Sequence, residues 1–253
     1  MEILPFIFIL GTISGSFANV VIYRLPDKIS VVFPPSSCKT CNHRLKALDL
    51  IPILSYIVLR GTCRYCKTKF SLRYPAVEFL CGAAFVWVWY FYPGIQALPL
   101  ALLMLILIIV SFIDWDTREI PDSLLITGTI TGMVSVLLSF PFAPLWQGAV
   151  LGAVAGAVPL FVIDVLCLLI IKKDGFGYGD VKLMAMAGIF LGLQSVIAAY
   201  LLAFILGGVY AFYLLATKKS ERDSYMPFGP FLCVGIFIAL FFGNEIMYFI
   251  FRI

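Results

Sequence analysis

Two carboxylates and four thiols carry the chemistry that this chain can do. Asp114 closes an apolar run at Phe112-Ile113-Asp114-Trp115-Asp116, and Asp180 follows three alternating glycines in Gly175-Phe176-Gly177-Tyr178-Gly179-Asp180. Glycine permits backbone angles and close approaches that other residues resist, so the glycine run can bring Asp180 against other backbone at the start of an apolar segment. Charged groups in apolar segments are costly and count as functional until explained otherwise. Two carboxylates meeting at one depth cannot comfortably both ionise and share a proton. Such a dyad orients a water with one member and protonates a leaving group with the other, which is peptide hydrolysis without a covalent intermediate. The helix ends suggest Asp180 as base, at an N-terminus, and Asp114 as acid, near a C-terminus. The bland alternative is that both are caps or interfacial charges. Asp116 and Glu119 read as solvated loop charges and Asp122 as a helix cap. Asp164, deep in another apolar run, reads as a partner for a neighbouring helix or a step in a proton path.

The thiols form two knuckles, Cys38-Lys39-Thr40-Cys41 and Cys63-Arg64-Tyr65-Cys66, separated by 21 residues. Paired C-x-x-C at this spacing reads as a four-cysteine structural zinc site, closed to catalysis because four thiolates complete the tetrahedron. The alternative, two disulfides, needs an oxidising compartment. His43, the only histidine, is expected on the surface. Cys81, Cys167 and Cys233 fall inside apolar runs and read as small apolar residues.

The elements that position these groups are membrane helices. Apolar residues make up 62% of the chain and charged residues 13%, against roughly half and a quarter in soluble domains. Runs of about 20 apolar residues indicate an all-α polytopic membrane protein. Spans are expected at Ile3–Tyr23, Val77–Tyr92, Ala97–Ile113, Ser123–Phe140, Gln147–Ile171, Val181–Leu193, Ser195–Ala216 and Pro227–Phe251. The sixth looks too short to cross alone. Gly11, Ser14, Gly15, Ser16 and Asn19 make a small-residue stripe suited to close helix packing. No cleavable signal peptide is evident, because Met1-Glu2-Ile3-Leu4 lacks a basic start.

Eight crossings with an outside N-terminus put residues 24–75, 114–121, 172–182 and 217–226 on one inner side, with 17 of the 18 Lys and Arg residues. That asymmetry supports both orientation and helix number. Residues 24–76 are then a small cytoplasmic zinc domain between helices 1 and 2, after a first helix over 1–23. A membrane helical domain fills 77–253. The apolar stretch Leu48–Leu59, interrupted by Pro52, is too short to span and is expected to pack on the zinc unit or at the interface.

At these residues the chain resembles the bacterial type IV prepilin peptidase family of G-x-G-D membrane aspartic peptidases. Gly177-Tyr178-Gly179-Asp180 matches the G-x-G-D motif. Phe112-Ile113-Asp114-Trp115-Asp116 with Pro121-Asp122 matches the other aspartate motif. Gly15-Ser16-Phe17-Ala18-Asn19-Val20-Val21-Ile22-Tyr23-Arg24-Leu25-Pro26 resembles the N-terminal signature, with Ala18 where leucine is more usual. The knuckles and Arg73-Tyr74-Pro75-Ala76-Val77-Glu78 also fit.

The resemblance implies an inner-membrane endopeptidase with Asp114 and Asp180 catalytic and Gly177, Gly179, Asp116 and Asp122 supporting the catalytic loops. It implies cleavage after a glycine that ends a short basic leader, on the cytoplasmic side. The substrates would be prepilins and pseudopilins of type IV pili, type II secretion or competence systems. It further implies N-methylation of the new terminus with S-adenosylmethionine. Asn19, Arg73 and Glu78 are candidate cofactor or substrate contacts, although capping and packing explain them equally well. Asp116, Glu119, Asp122 and Asp174 would receive the basic leader, while basic residues face lipid headgroups. No nucleic-acid partner is expected, and the sequence leaves oligomeric state open. Competing functions are a peptidase without methylation, a proton-coupled transporter using Asp114, Asp164 and Asp180, and a non-enzymatic assembly factor. A transporter would show repeated halves and midplane sites, whereas here two of the three aspartates sit at one edge and no repeat is visible.

Overall fold

The computed structural model describes residues 2–172, 175–217 and 226–252. Lys173, Asp174, Lys218, Lys219 and Arg222, which entered the charge and leader arguments, lie outside the described residues. Eight α-helices are described: α1 (Leu4–Arg24), α2 (Leu54–Val58), α3 (Arg73–Phe91), α4 (Ala97–Thr117), α5 (Asp122–Leu137), α6 (Trp146–Ile171), α7 (Tyr178–Ala216) and α8 (Gly229–Phe251). No strand occurs among the described residues, only isolated bridges. Six helices, α1, α3, α4, α6, α7 and α8, are long and apolar enough to cross a membrane, and α5 is a shorter apolar helix. The chain divides into two compact units, Met1–Ile109 and Val110–Ile253, so that α4 runs from one into the other.

In the first unit α1 and α3 pack antiparallel. The order of contacts fixes the direction: Gly11 lies on Gly82, Gly15 on Glu78, and Asn19 Nδ2 donates to the Tyr74 carbonyl (3.1 Å). A Cβ at Gly15 would stand 2.7 Å from the Glu78 Cα, so the small-residue stripe is what allows the two backbones to approach. Between these helices lies the cysteine domain, with α2 and a 3₁₀ turn at Ala47–Asp49. The stretch around Pro52 does not span. It yields only the five-residue α2, with Leu54, Ile57 and Val58 exposed.

In the second unit α7 is not one rod. Gly192 has φ 69° and ψ −179°, a conformation inside the helix that only glycine adopts without strain. A straight helix would hold Tyr178 and Phe204 about 39 Å apart. Instead the rings of Phe176, just before α7, and Phe204 are 6.2 Å apart. The chain therefore doubles back at Gly192 into two limbs, residues 178–191 and 193–216. This accounts for the sixth and seventh expected spans, and with α5 it makes eight apolar helical segments. The first limb packs on α6, where Gly152 faces Gly188 and Gly156 faces Met184. The second packs on α8, where Ala199 faces Gly235 and Ser195 faces Gly243. Tyr200 ties the second limb to α6 by donating its hydroxyl to the Gly156 carbonyl. Leu183, Met184, Ala187, Val196, Ala199, Leu232 and Ile236 fill the core between them.

The helix ends differ from expectation in ways that matter for the site. α4 continues past Ile113 to Thr117, so Asp114 lies inside its last turn rather than just beyond it. Pro121, not Asp122, is the N-cap of α5. Asp122 is instead the first helical residue, and Lys182 Nζ donates to its Oδ1 at 2.8 Å.

Candidate active site and thiolate cluster

Asp114 and Asp180 reach the same place from different elements. α4 delivers Asp114 at its C-terminal end, and the first turn of α7 delivers Asp180. Both are buried, 6% and 8% exposed. Both line one cavity of about 380 Å³, together with Arg118, Glu119, Ile120, Asp122, Gly177, Tyr178, Gly179 and Lys182. Asp180 closes its own turn, its N–H donating to the Gly177 carbonyl at 3.0 Å. Its Oδ1 is buried with no protein partner, which leaves that oxygen available to a ligand or water.

Asp114 has a partner that the sequence reading missed. The Gly229 N–H, at the start of α8, donates to Asp114 Oδ2 at 3.0 Å. A Cβ on Gly229 would stand 2.7 Å from that oxygen, so glycine is needed for the approach. The only sequence signal was a glycine held between two prolines, Pro227-Phe228-Gly229-Pro230. The contact changes the dipole argument. Asp114 lies at the C-terminus of its own helix but against the N-terminus of another, so helix ends no longer separate an acid from a base.

The loop glycines act through their lack of bulk rather than through unusual angles. Gly177 is extended (φ −73°, ψ 145°), and Gly179 has no positive φ. A Cβ at Gly179 would come 2.9 Å from Ile120 and one at Gly175 2.9 Å from Cys167 Sγ, so these two let the loop lie flat. Asp122 is ion-paired with Lys182, the fifth residue of α7, and both side chains are exposed. Of the acids expected to receive a basic segment, Glu119 and Asp122 line the cavity, accompanied there by Arg118 and Lys182. Asp116 is exposed and is not among the lining residues.

The four knuckle thiols also converge, in the first unit. One sulfur from each of Cys38, Cys41, Cys63 and Cys66 lies within 4.8 Å of the others. Cys38 and Cys66 Sγ are 3.7 Å apart, close to the ~3.8 Å edge of a tetrahedron with Zn–S of about 2.3 Å. All seven cysteines are free, so the disulfide alternative is not realised.

The two knuckles repeat one geometry. Cys38 N–H donates to the His43 carbonyl and Cys63 N–H to the Thr68 carbonyl, and Asn42 and Lys67 hold the matching left-handed positions. Bonds to Thr68 pull the Cys66 thiol down to about 6, toward the thiolate a metal requires. At Cys41 the His43 backbone bond is outweighed by burial and by the Cys38 and Cys66 thiols, which push that thiol up to about 11. His43 is exposed and stacks on Tyr65 at 3.7 Å, as a surface histidine. Asp49 braces the second knuckle, accepting from Arg64 Nε (2.6 Å) and the Tyr65 hydroxyl (3.2 Å). Burial opposes its ionisation, but the bonds from Arg64, the Lys46 amide and Tyr65 hold it below the usual carboxylate range. The cluster is compatible with structural zinc.

Asn19, Arg73 and Glu78 gather beside this domain. Glu78 Oε2 accepts the Ile53 N–H at 2.7 Å, and the Arg73 guanidinium lies 5.5 Å from the Tyr23 ring centre. Asn19 Oδ1 is buried without a protein partner.

Comparison with known proteins agrees over nearly the whole chain. Residues 9–92 match the Bacterial Peptidase A24 N-terminal domain, and residues 101–212 match the Type IV leader peptidase family. The Prepilin leader peptidase/N-methyltransferase of Pseudomonas putida is 35% identical over 261 residues, covering 94% of this chain and 90% of that protein. The chain belongs to the type IV leader peptidase family. Proteins of the same name from Aeromonas salmonicida and Pseudomonas aeruginosa are 34% and 33% identical, covering 95% and 94% of this chain and 91% and 90% of theirs. No solved structure matches the chain. Within this leader peptidase family match, the second stretch takes in both Asp114 and Asp180, and the first takes in all four knuckle cysteines.

Proposed function

We propose that this protein is a multi-pass inner-membrane aspartic endopeptidase that removes the short basic leader of prepilins and pseudopilins. The observation that carries the proposal is the convergence of two buried carboxylates, Asp114 and Asp180, on one cavity. With one proton between them, the ionised member takes a proton from water as its oxygen attacks the scissile carbonyl carbon. The protonated member gives its proton to the carbonyl oxygen, forming a gem-diol. Collapse of the diol breaks the C–N bond, the amine leaves with a proton, and the pair returns to its singly protonated state. Gly177 and Gly179 shape the loop that carries Asp180, and Asp122 steadies it. Asp116 lies two residues further along α4, exposed and outside the cavity lining.

The cleavage site faces the cytoplasm, on the side that carries 17 of the 18 basic residues. The functional parts are the first helix (1–23), the zinc domain (24–76) and the peptidase domain (77–253). Cys38, Cys41, Cys63 and Cys66 hold one structural zinc, which supplies folding stability to a domain too small for a sufficient core. The protein also N-methylates the new terminus. The donor, S-adenosylmethionine, supplies an electrophilic methyl group. Asn19, with its unpartnered buried Oδ1, would help to hold it, flanked by Arg73 and Glu78.

The test is the intact mass of a pilin-like precursor incubated with purified protein, with and without S-adenosylmethionine. Loss of a short leader with wild type and none with Asp180→Asn is expected, followed by a gain of one methyl mass when the donor is present. Uncleaved precursor with folded wild type would refute the peptidase. Cleavage without methyl gain would leave a peptidase alone.

A further inference from the structure

Asp164 has no part in the reaction just described, yet it is 3% exposed in the middle of an apolar helix. A carboxylate there requires donors. Both donors found are backbone amides of the glycine-rich loop: Gly175 N–H at 2.9 Å and Phe176 N–H at 3.2 Å, converging on the same oxygen, Oδ1. Successive amides aimed at one anion form a nest. We propose that Asp164 is a positioning residue, clamping the loop so that Asp180 is presented to the cavity.

The described residues on either side of the loop both meet α6. α6 ends in a left-handed residue, Lys172 (φ 56°). Gly175 then returns onto the same helix face, against Cys167, three residues along from Asp164. From the clamped amide of Phe176, the next residue is Gly177, the N-cap of α7 and the acceptor for Asp180 N–H. No slack separates the clamp from the catalytic turn. The Phe176 ring meanwhile packs on Phe204 (6.2 Å) and Phe228 (5.1 Å). Phe228 immediately precedes Gly229, whose amide holds Asp114. One aromatic contact therefore joins the support of Asp180 to the support of Asp114. An acceptor role also differs in kind from a proton path, because the groups bonded to Asp164 are amides rather than ionisable side chains.

The proposal rests on the peptidase reading for its kinetic arm only. Full-length wild type, Asp164→Asn and Asp164→Ala are compared in detergent. Hydrogen exchange is followed in peptides covering 175–180, and cleavage kinetics are followed on a pilin-like precursor. Asparagine keeps the Oδ1 acceptor and alanine removes it. Asp164→Ala is expected to exchange at least about tenfold faster at Gly175 and Phe176 and to lose roughly 10–100-fold in kcat, with KM within about threefold. Asp164→Asn is expected to keep both exchange and kcat within about fivefold of wild type. A larger loss in Asp164→Asn would overturn the proposal, since it would mean that the charge or proton is what matters. So would wild-type exchange and kcat in Asp164→Ala. Should the alanine variant fail to fold, the asparagine variant decides alone on the same threshold. Wild type that cleaves no precursor would refute the peptidase reading while leaving the exchange comparison intact.

Discussion

Gly229→Ala tests the architecture of the site more sharply than removal of an aspartate does, because it leaves both carboxylates present. A methyl group built on Gly229 stands 2.7 Å from Asp114 Oδ2 and 3.0 Å from its Cγ. Ordinary contact begins near 3.4 Å, so the carboxylate or the start of α8 has to retreat by about 0.7 Å. Asp114 is buried and bonded to the amide of the same residue that would carry the methyl, so the shift strains that bond directly. Misplacing a catalytic group by about 1 Å costs on the order of 100-fold in rate. A hydrogen bond to a charged group is worth about 1.5–3 kcal/mol, roughly 10–150-fold if wholly lost. The two routes describe one displacement and are not additive. The expected result is a fall in kcat of roughly 10–100-fold with KM changed by less than about threefold. The assay is steady-state cleavage of a pilin-like precursor by intact mass, alongside thermal unfolding to show that α8 still docks. A folded Gly229→Ala protein with kcat within about threefold of wild type would refute the claim that this amide positions Asp114.

Asp114→Asn and Asp180→Asn are each expected to lower cleavage by at least about 1,000-fold while leaving thermal unfolding unchanged or slightly improved; substantial activity in either would remove the dyad. Metal analysis should find one zinc per chain, and Cys63→Ser or chelation should lower the unfolding temperature and expose residues 24–76 to proteolysis. Gly192→Ala is expected to destabilise the second unit by about 1–3 kcal/mol, read as a lowered unfolding midpoint in detergent, because φ there is positive. Asp49→Asn should lower stability at neutral pH by about 1 kcal/mol or less. Since the Asp49 pKa is depressed in the folded state, its contribution is present above about pH 4 and fades as pH falls through the folded value, so the gap between variant and wild type should close on acidification.

Features encoded by short-range pattern were legible in the sequence. The four thiols converge because each knuckle is a local turn, and the knuckles' 21-residue separation only has to let them meet. The break in α7 was legible too. The charge parity of the loops required a boundary near Leu193-Gln194-Ser195, and the reversal falls at the adjacent glycine. Asp122 shows the opposite case. Its residue type favours a cap, yet it stands one position inside the helix and pairs with Lys182, 60 residues away, a partner no local window shows. The amide of Gly229 was invisible for the same reason: nothing within a window of α8 says that a carboxylate from α4 will arrive there. Asp164 was seen as anomalous, but its partners are backbone groups, and backbone has no residue type to read. The glycine run pointed to the right loop for a partly wrong reason. The gain at Gly179 is space, not torsional freedom, and at Gly175 too the space is what a side chain would lack.

The doubling-back of α7 has a consequence for the lipid. Its first limb, residues 178–191, rises about 21 Å, whereas the hydrocarbon core of a bilayer is about 30 Å thick. The Gly192 turn and Asp180 therefore cannot both meet an undeformed headgroup layer. The turn is backed by Pro144 and Gly148, so protein shields its irregular backbone. With the turn shielded, the length mismatch is expected at the carboxylate end, met by headgroups and water dipping toward Asp180 by up to about 9 Å or by a thinned leaflet. A hydrolase needs water as a reactant, and a dip of this kind would bring it to the carboxylate. Bilayer thickness thereby becomes a control on the reaction: in vesicles of increasing acyl-chain length, cleavage should slow as the dip becomes harder to sustain.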